Sequence, residues 1–228
     1  NTNPIVSIDV WYHVGSKDED PGRTGFAHLF EHMMFQGSKN IGKAEHFSYV
    51  QKAGGTVNGT TNQDRTNYFE TVPSNQLELL LWLESDRMAT LQVTQSNFDN
   101  QREVVKEEKR QRYDNVPYGS RWGEMMKRAF KDETYEWIPI GSMDDLNGAD
   151  LSYAQSFYSK YYSPDNAVVV LSGDLEYEST KELVTKYFGS IKPAGTKKNN
   201  YPEIRFNMGE VRDTIYDNIQ LPAVYIAY

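Results

Sequence analysis

His28-Leu29-Phe30-Glu31-His32 is the stretch on which the reading of this chain turns. On an α-helix, imidazoles four residues apart lie on one face, about one turn apart. The Glu31 carboxylate, three residues after His28, shares that face. Two histidines with an acid beside them can hold Zn²⁺ and set a base next to a metal-bound water. In the H-E-x-x-H order the glutamate follows the first histidine; here it precedes the second, the inverted H-x-x-E-H arrangement. That order points to a hydrolase. Paired histidines at this spacing are common by chance and, alone, are more often structural. Glu31 between them shifts the balance, as does the placement of two of only four histidines in this stretch. Phe26, Leu29, Phe30, Met33 and Phe35 surround the polar stripe with the apolar shell that a catalytic metal needs.

Outward from the motif, residues 5–13 read as a strand rich in β-branched and aromatic types. The polar segment from Gly15 to Gly25 reads as a loop. Thr24 is the expected N-cap of the motif helix and Gly37 its expected stop. A second helix is expected over 43–52, ending at Gly54-Gly55. Residues 55–61 and 66–72 form a hairpin around Asn62-Gln63-Asp64-Arg65. Helices follow over 74–90, with Leu77, Leu80, Leu81 and Met88 on one face, and over 96–112. A further helix is expected near 119–130, and Asp150 can cap one running to Tyr161. Ala167 to Ser172 reads as a buried strand and 176–188 as an amphipathic helix. Residues 192–203 read as a linker, and strands are expected near 210–217 and 222–228.

Bulk composition narrows the classes. The 228 residues are 38% hydrophobic and 13% aromatic, enough for a real core. The net charge of −8, with no basic block, speaks against nucleic-acid binding. It suits solubility and basic or neutral peptide substrates. The absence of cysteine excludes disulfides, thiolate metal sites and cysteine nucleophiles, so any metal relies on His, Asp, Glu and water. No apolar run reaches the ~20 residues of a membrane span. The chain opens on Asn1 rather than Met, which fits removal of an upstream segment. A bacterial periplasmic or secreted setting is expected ahead of a cytoplasmic one.

A catalytic zinc usually takes three protein ligands, and local spacing cannot name the third. The helix over 96–112 is the best source, since it carries Glu103, Glu107 and Glu108 with few apolar residues. The same charges also read as a solvated face with an attractive Glu108–Arg112 pair. Of the remaining histidines, His13 ends a strand and suits a surface or core role, and His46 sits in a polar helix and is expected to face solvent. Tyr153, Tyr158, Tyr161 and Tyr162 read as packing.

These residues also carry a resemblance. Gly25-Phe26-Ala27-His28-Leu29-Phe30-Glu31-His32-Met33-Met34-Phe35-Gln36-Gly37-Ser38 resembles the signature of the pitrilysin-type zinc peptidases, the inverzincin M16 family. Asn58-Gly59-Thr60-Thr61 and Asn67-Tyr68-Phe69-Glu70 resemble the family's hairpin beside the metal. Arg102-Glu103-Val104-Val105-Lys106-Glu107-Glu108 resembles its distal glutamate helix. Pro139-Ile140-Gly141, Tyr161-Tyr162-Ser163-Pro164-Asp165-Asn166-Ala167 and Gly173-Asp174 resemble the end of its first domain.

The resemblance implies a fold and a set of roles. The fold is α+β: a largely antiparallel sheet with helices packed mainly on one face, as in the mitochondrial processing peptidase. The hairpin, in place of regular βαβ alternation, agrees. One Zn²⁺ is held by His28, His32 and Glu108, with Glu107 as the register-shifted alternative, and Glu31 is the general base. Asn58, Gly59 and Thr60 match a sheet edge that takes substrate as an added strand. Gly59 permits close backbone approach or marks a bulge. Some family members carry a supporting glutamate two turns before the third ligand; here that position is Gln101, which can hydrogen-bond but adds no charge. Residues 1–228 are expected to form a single metal-bearing N-terminal domain. Its partners are a peptide or unfolded polypeptide substrate and a second homologous domain or subunit that completes the chamber. A non-catalytic zinc-binding subunit or scaffold is the alternative. S-ribosylhomocysteine lyase shares a related motif, but its chemistry uses a cysteine that this chain lacks.

Overall fold

The computed structural model describes residues 3–131, 133–196, 199–201, 203 and 209–228. A four-stranded sheet organises it, with strand order β2-β3-β1-β4 and every neighbour antiparallel. The strands are β1 (Ile5–Tyr12), β2 (Thr56–Thr61), β3 (Thr66–Pro73) and β4 (Ala167–Gly173). The helices are α1 (Phe26–Met33), α2 (Glu45–Lys52), α3 (Leu77–Thr90), α4 (Gln95–Lys109), α5 (Arg121–Ala129), α6 (Met143–Asn147), α7 (Leu151–Tyr161) and α8 (Tyr177–Phe188).

Alternation along β1 decides which face carries the helices. Val6, Ile8, Val10 and Tyr12 are fully buried and meet α1, α3 and α7 in one core with Phe30, Leu80, Leu81 and Phe157. The intervening residues point to the other face, where Ile5, Trp11, Phe69, Val168 and Val170 are exposed. Helices therefore pack mainly on one side, and the fold is α+β. β2 and β4 are the two edges of the sheet, and β2 lies against α1.

Several boundaries differ from the sequence reading. Gly25, not Thr24, is the N-cap of α1, at φ 94°. A side chain there would meet the Ile140 carbonyl at 2.9 Å, so the turn needs glycine for both conformation and space. Thr24 instead accepts the Ser142 N–H and bonds to Asp145. The helix ends at Met33, and Gly37 (φ 105°) serves the loop beyond. Residues 210–217 and 222–228 form no strand: their alternation suits a sheet, but no edge pairs with them, and Tyr216 and Val224 lie exposed. Of the expected linker over 192–203, residues 197, 198 and 202 lie outside the described residues.

Candidate metal centre

Helix α1 is short and almost wholly buried, with Phe26, Ala27, Leu29, Phe30 and Met33 at zero exposure. Its remaining stripe carries His28, Glu31 and His32, all partly exposed. The Tyr68 hydroxyl donates to the Phe30 carbonyl at 3.1 Å and ties the helix to β3. The two imidazoles face each other edge-on with centroids 4.9 Å apart.

α4 packs across α1 and brings in the third group. Glu108 Oε2 lies 3.3 Å from His32 Nε2 and 3.7 Å from His28 Nε2. Ligand atoms around a tetrahedral Zn²⁺, with bonds of ~2.0–2.1 Å, stand roughly 3.4 Å apart. The three residues therefore have donor types that zinc takes, and Glu108 stands from each histidine at close to that spacing. Their side chains retain 13%, 23% and 19% exposure, which leaves an approach from solvent for a water or substrate. Glu107 points away: its carboxylate, 54% exposed, bonds to Arg110 and Gln111. Gln101 is buried and bonds to Asn100.

The electrostatics suit a cation. Burial, aided by the neighbouring His32, lowers the His28 pKa to about 4. That keeps the ring neutral, the form that coordinates a metal. A hydrogen bond from His32 and the charges around it hold the Glu108 carboxyl below its usual range, so it is an anion. Arg112 pairs with Glu108 Oε1 at 2.7 Å and leaves Oε2 to the histidines. Arg112 reaches that position from a π-helical turn, Arg110–Asp114, that follows α4. His28 Nδ1 is buried without a hydrogen-bond partner among the described residues.

Glu31 is placed differently from the three candidate ligands. Its Oε2 accepts a hydrogen bond from Thr61 Oγ1 at 2.6 Å. Burial raises its pKa, and the Thr61 bond pulls it back. Thr61 has no role in the sequence reading, although the signal was present. Period two along β2 puts Gly59 and Thr61 on one face, and that face meets α1. A Cβ on Gly59 would stand 3.2 Å from Glu31 Cγ and 3.1 Å from the Tyr68 ring. Close packing against helix and ring is thus the local reason for this glycine. Asn58 and Thr60 point to the opposite face, where Asn58 Oδ1 accepts the Gly59 N–H at 2.9 Å and Thr60 bonds to Asn67. All three lie on an edge strand.

A second group of potential ligands, His46, Glu70 and Glu84, lies in the core. His46 is 3% exposed, which overturns the expectation that it faces solvent. The polar face of α2 turns inward because partners wait there: His46 Nε2 bonds directly to Glu70, and Arg87 binds Glu84 through two nitrogens. Arg87 also lies 3.8 Å from Glu70 and stacks over the rings of Tyr68 and Phe35. The guanidinium already supplies the cation, and the His46–Glu70 pair is in direct contact, with no room for an ion between them. This is a structural ion network. His13 is exposed, and its backbone bonds to Asn166.

An antiparallel α+β domain with two histidines and a distal glutamate spaced for zinc, and a second glutamate beside them, has the layout of an inverted-motif metallohydrolase. Sequence comparison makes this specific: residues 1–141 match the model of Insulinase (Peptidase family M16), and the chain belongs to that family. Residues 150–228 match the Peptidase M16 inactive domain. The zinc protease PqqE of Helicobacter pylori is 36% identical over 192 residues, which cover 84% of this chain and 43% of that protein. The crystal structure of a protease from Helicobacter pylori superposes with TM-score 0.82 at 34% identity, over 90% of this chain and 49% of that one. Pitrilysin shares the fold, with TM-score 0.80 at 19% identity over 90% of this chain and 22% of that one. The chain thus spans less than half the length of these relatives. Among the described residues, no helix is long and apolar enough to cross a membrane.

Proposed function

We propose that this chain is the metal-bearing domain of a zinc-dependent metalloendopeptidase. The observation that carries the proposal is the spacing of His28, His32 and Glu108 around one point, with Glu31 on the same helix face. His28, His32 and Glu108 would hold the ion. Bound there, Zn²⁺ supplies polarisation of a scissile carbonyl and lowers the pKa of a water towards ~7. Glu31 takes the proton of the attacking water and returns it to the departing amine. Thr61 fixes Oε2 of that carboxylate and leaves Oε1 for the proton. The β2 edge at Asn58-Gly59-Thr60 takes an extended peptide as an added strand, with backbone bonds giving affinity. The Asn58 side chain, which now accepts the Gly59 N–H, gives way to it.

The substrate on this reading is a peptide or an unfolded polypeptide. A second homologous domain or subunit completes the chamber, consistent with relatives of which this chain covers less than half the length. One observation favours a second reading, a non-catalytic partner or scaffold: residues 150–228 match a domain described as inactive. All four site residues lie in the other match, over 1–141, and are intact. Zinc analysis with peptide cleavage, for the wild type and Glu31→Gln of the full-length protein, decides between them. The peptidase reading expects zinc in both proteins and cleavage only by the wild type. Cleavage by Glu31→Gln would remove the base role, and zinc without cleavage by the wild type would favour the scaffold.

A further inference from the structure

The start of α1 lacks the usual means of capping. Its N-cap is Gly25, which has no side chain to accept a hydrogen bond, and its first turn carries no acidic residue. The free N–H groups there precede His28 directly and need an acceptor. Glu19, six residues upstream of the N-cap, provides it. Its Oε2 accepts the Gly25 N–H at 3.0 Å and its Oε1 accepts the Ala27 N–H at 2.8 Å. The side chain is enclosed, with the residue 3% exposed, and the mechanism above does not use it.

The surroundings fix the backbone on both sides of this contact. Glu19 follows a 3-10 turn, Ser16–Asp18, whose Ser16 carbonyl accepts both the Glu19 N–H and the Trp137 indole at 2.8 Å. Residues 140–141 close over the same helix end: a Cβ on Gly141 would stand 2.6 Å from Gly25 Cα. One side chain thus bridges the loop before the metal helix to two backbone amides of that helix, one of them adjacent to His28.

We propose that Glu19 is a positioning residue for the metal centre: its two carboxylate oxygens clamp the first turn of α1 and thereby set where His28 and Glu31 point. The inference rests on the metal-site reading given above. Both oxygens accept from N–H groups, so a carboxamide cannot replace the carboxylate, because its NH₂ would face a backbone N–H. A clamp this close to a ligand acts as groups behind metal ligands do, and loss of such groups costs roughly 10–100-fold in metal affinity.

The test uses the full-length protein and Glu19→Gln, with Glu19→Asp as a variant that keeps the carboxyl group and shortens the reach. Three readouts are taken: zinc affinity by competition with a chelator, the visible absorption of the Co²⁺-substituted protein, and hydrogen exchange at the Gly25 and Ala27 amides without metal. For Glu19→Gln we expect zinc affinity to fall about ten-fold or more. The Co²⁺ bands shift and at least one of the two amides exchanges faster, while Glu19→Asp falls between it and the wild type. A variant with a lower melting temperature but unchanged zinc affinity and Co²⁺ spectrum would overturn the proposal and leave Glu19 a stability residue only. If Glu19→Gln does not fold, Glu19→Asp and the wild-type exchange data decide, and unprotected Gly25 and Ala27 amides would overturn it. A wild type that binds neither ion would instead remove the metal-site reading, while the exchange data still report on the clamp.

Discussion

Thr61 shows how a single hydrogen bond tunes the proposed base. Glu31 works as a base only when ionised, so activity falls as pH drops through its pKa. Burial raises that pKa and the Thr61 bond lowers it. Thr61→Val removes the lowering contribution, so the acidic limb of the pH–rate profile should move to higher pH while zinc content stays unchanged. Glu31→Gln should retain zinc and lose roughly 10²–10⁴-fold in turnover, the usual worth of general acid–base catalysis. At this scale legibility follows distance along the chain. His28, Glu31 and His32 were readable because helical period is local. Glu108 lies 76 residues beyond His32, and periodicity alone left it on a charged face. His46 turns inward to partners on two other elements, Glu70 and the Glu84–Arg87 pair, which the helical period of its own segment does not reveal.

At the scale of elements, β2 and α1 share a tight contact at Gly59. Gly59→Val adds bulk where a Cβ already meets Tyr68 and Glu31 at 3.1 and 3.2 Å. It should cost about 1–3 kcal/mol in urea denaturation and reduce peptide cleavage by displacing Glu31. The ion network beneath joins α2, β3 and α3. Arg87→Met would leave Glu84 and Glu70 buried without their cation, at a cost of about 3–5 kcal/mol by the same measurement. The positions of the strands and main helices were legible from β-branched runs and helical period, but residues 167–172, expected to be buried, form the edge strand β4 with Val168 and Val170 exposed. Asp150 caps α7 as expected through the Tyr153 N–H at 2.8 Å. What sequence could not supply was contact between elements. The segments 210–217 and 222–228 have strand-like alternation but no neighbour to pair with. The cap of α1 moved from Thr24 to Gly25 because the 140–141 backbone presses against it.

At the scale of the whole molecule, β4 belongs to the stretch that matches the inactive-domain model, yet it pairs with β1 from the insulinase match. That pairing puts the two matched stretches on one sheet; on the function proposed above, a further domain or subunit closes the chamber. On the proposed function the 228-residue chain binds zinc by itself but cleaves peptides slowly or not at all, and addition of a second homologous domain or subunit restores cleavage. Vigorous proteolysis by the 228-residue chain would argue against a shared chamber. Zinc stoichiometry reports on the ligand set itself. Metal content should be measured by mass spectrometry for the wild type, Glu107→Gln and Glu108→Gln after equal dialysis. One zinc per chain is expected in the wild type and Glu107→Gln, and little or none in Glu108→Gln. A wild type without zinc, or a Glu108→Gln protein that retains it while Glu107→Gln does not, would contradict the account.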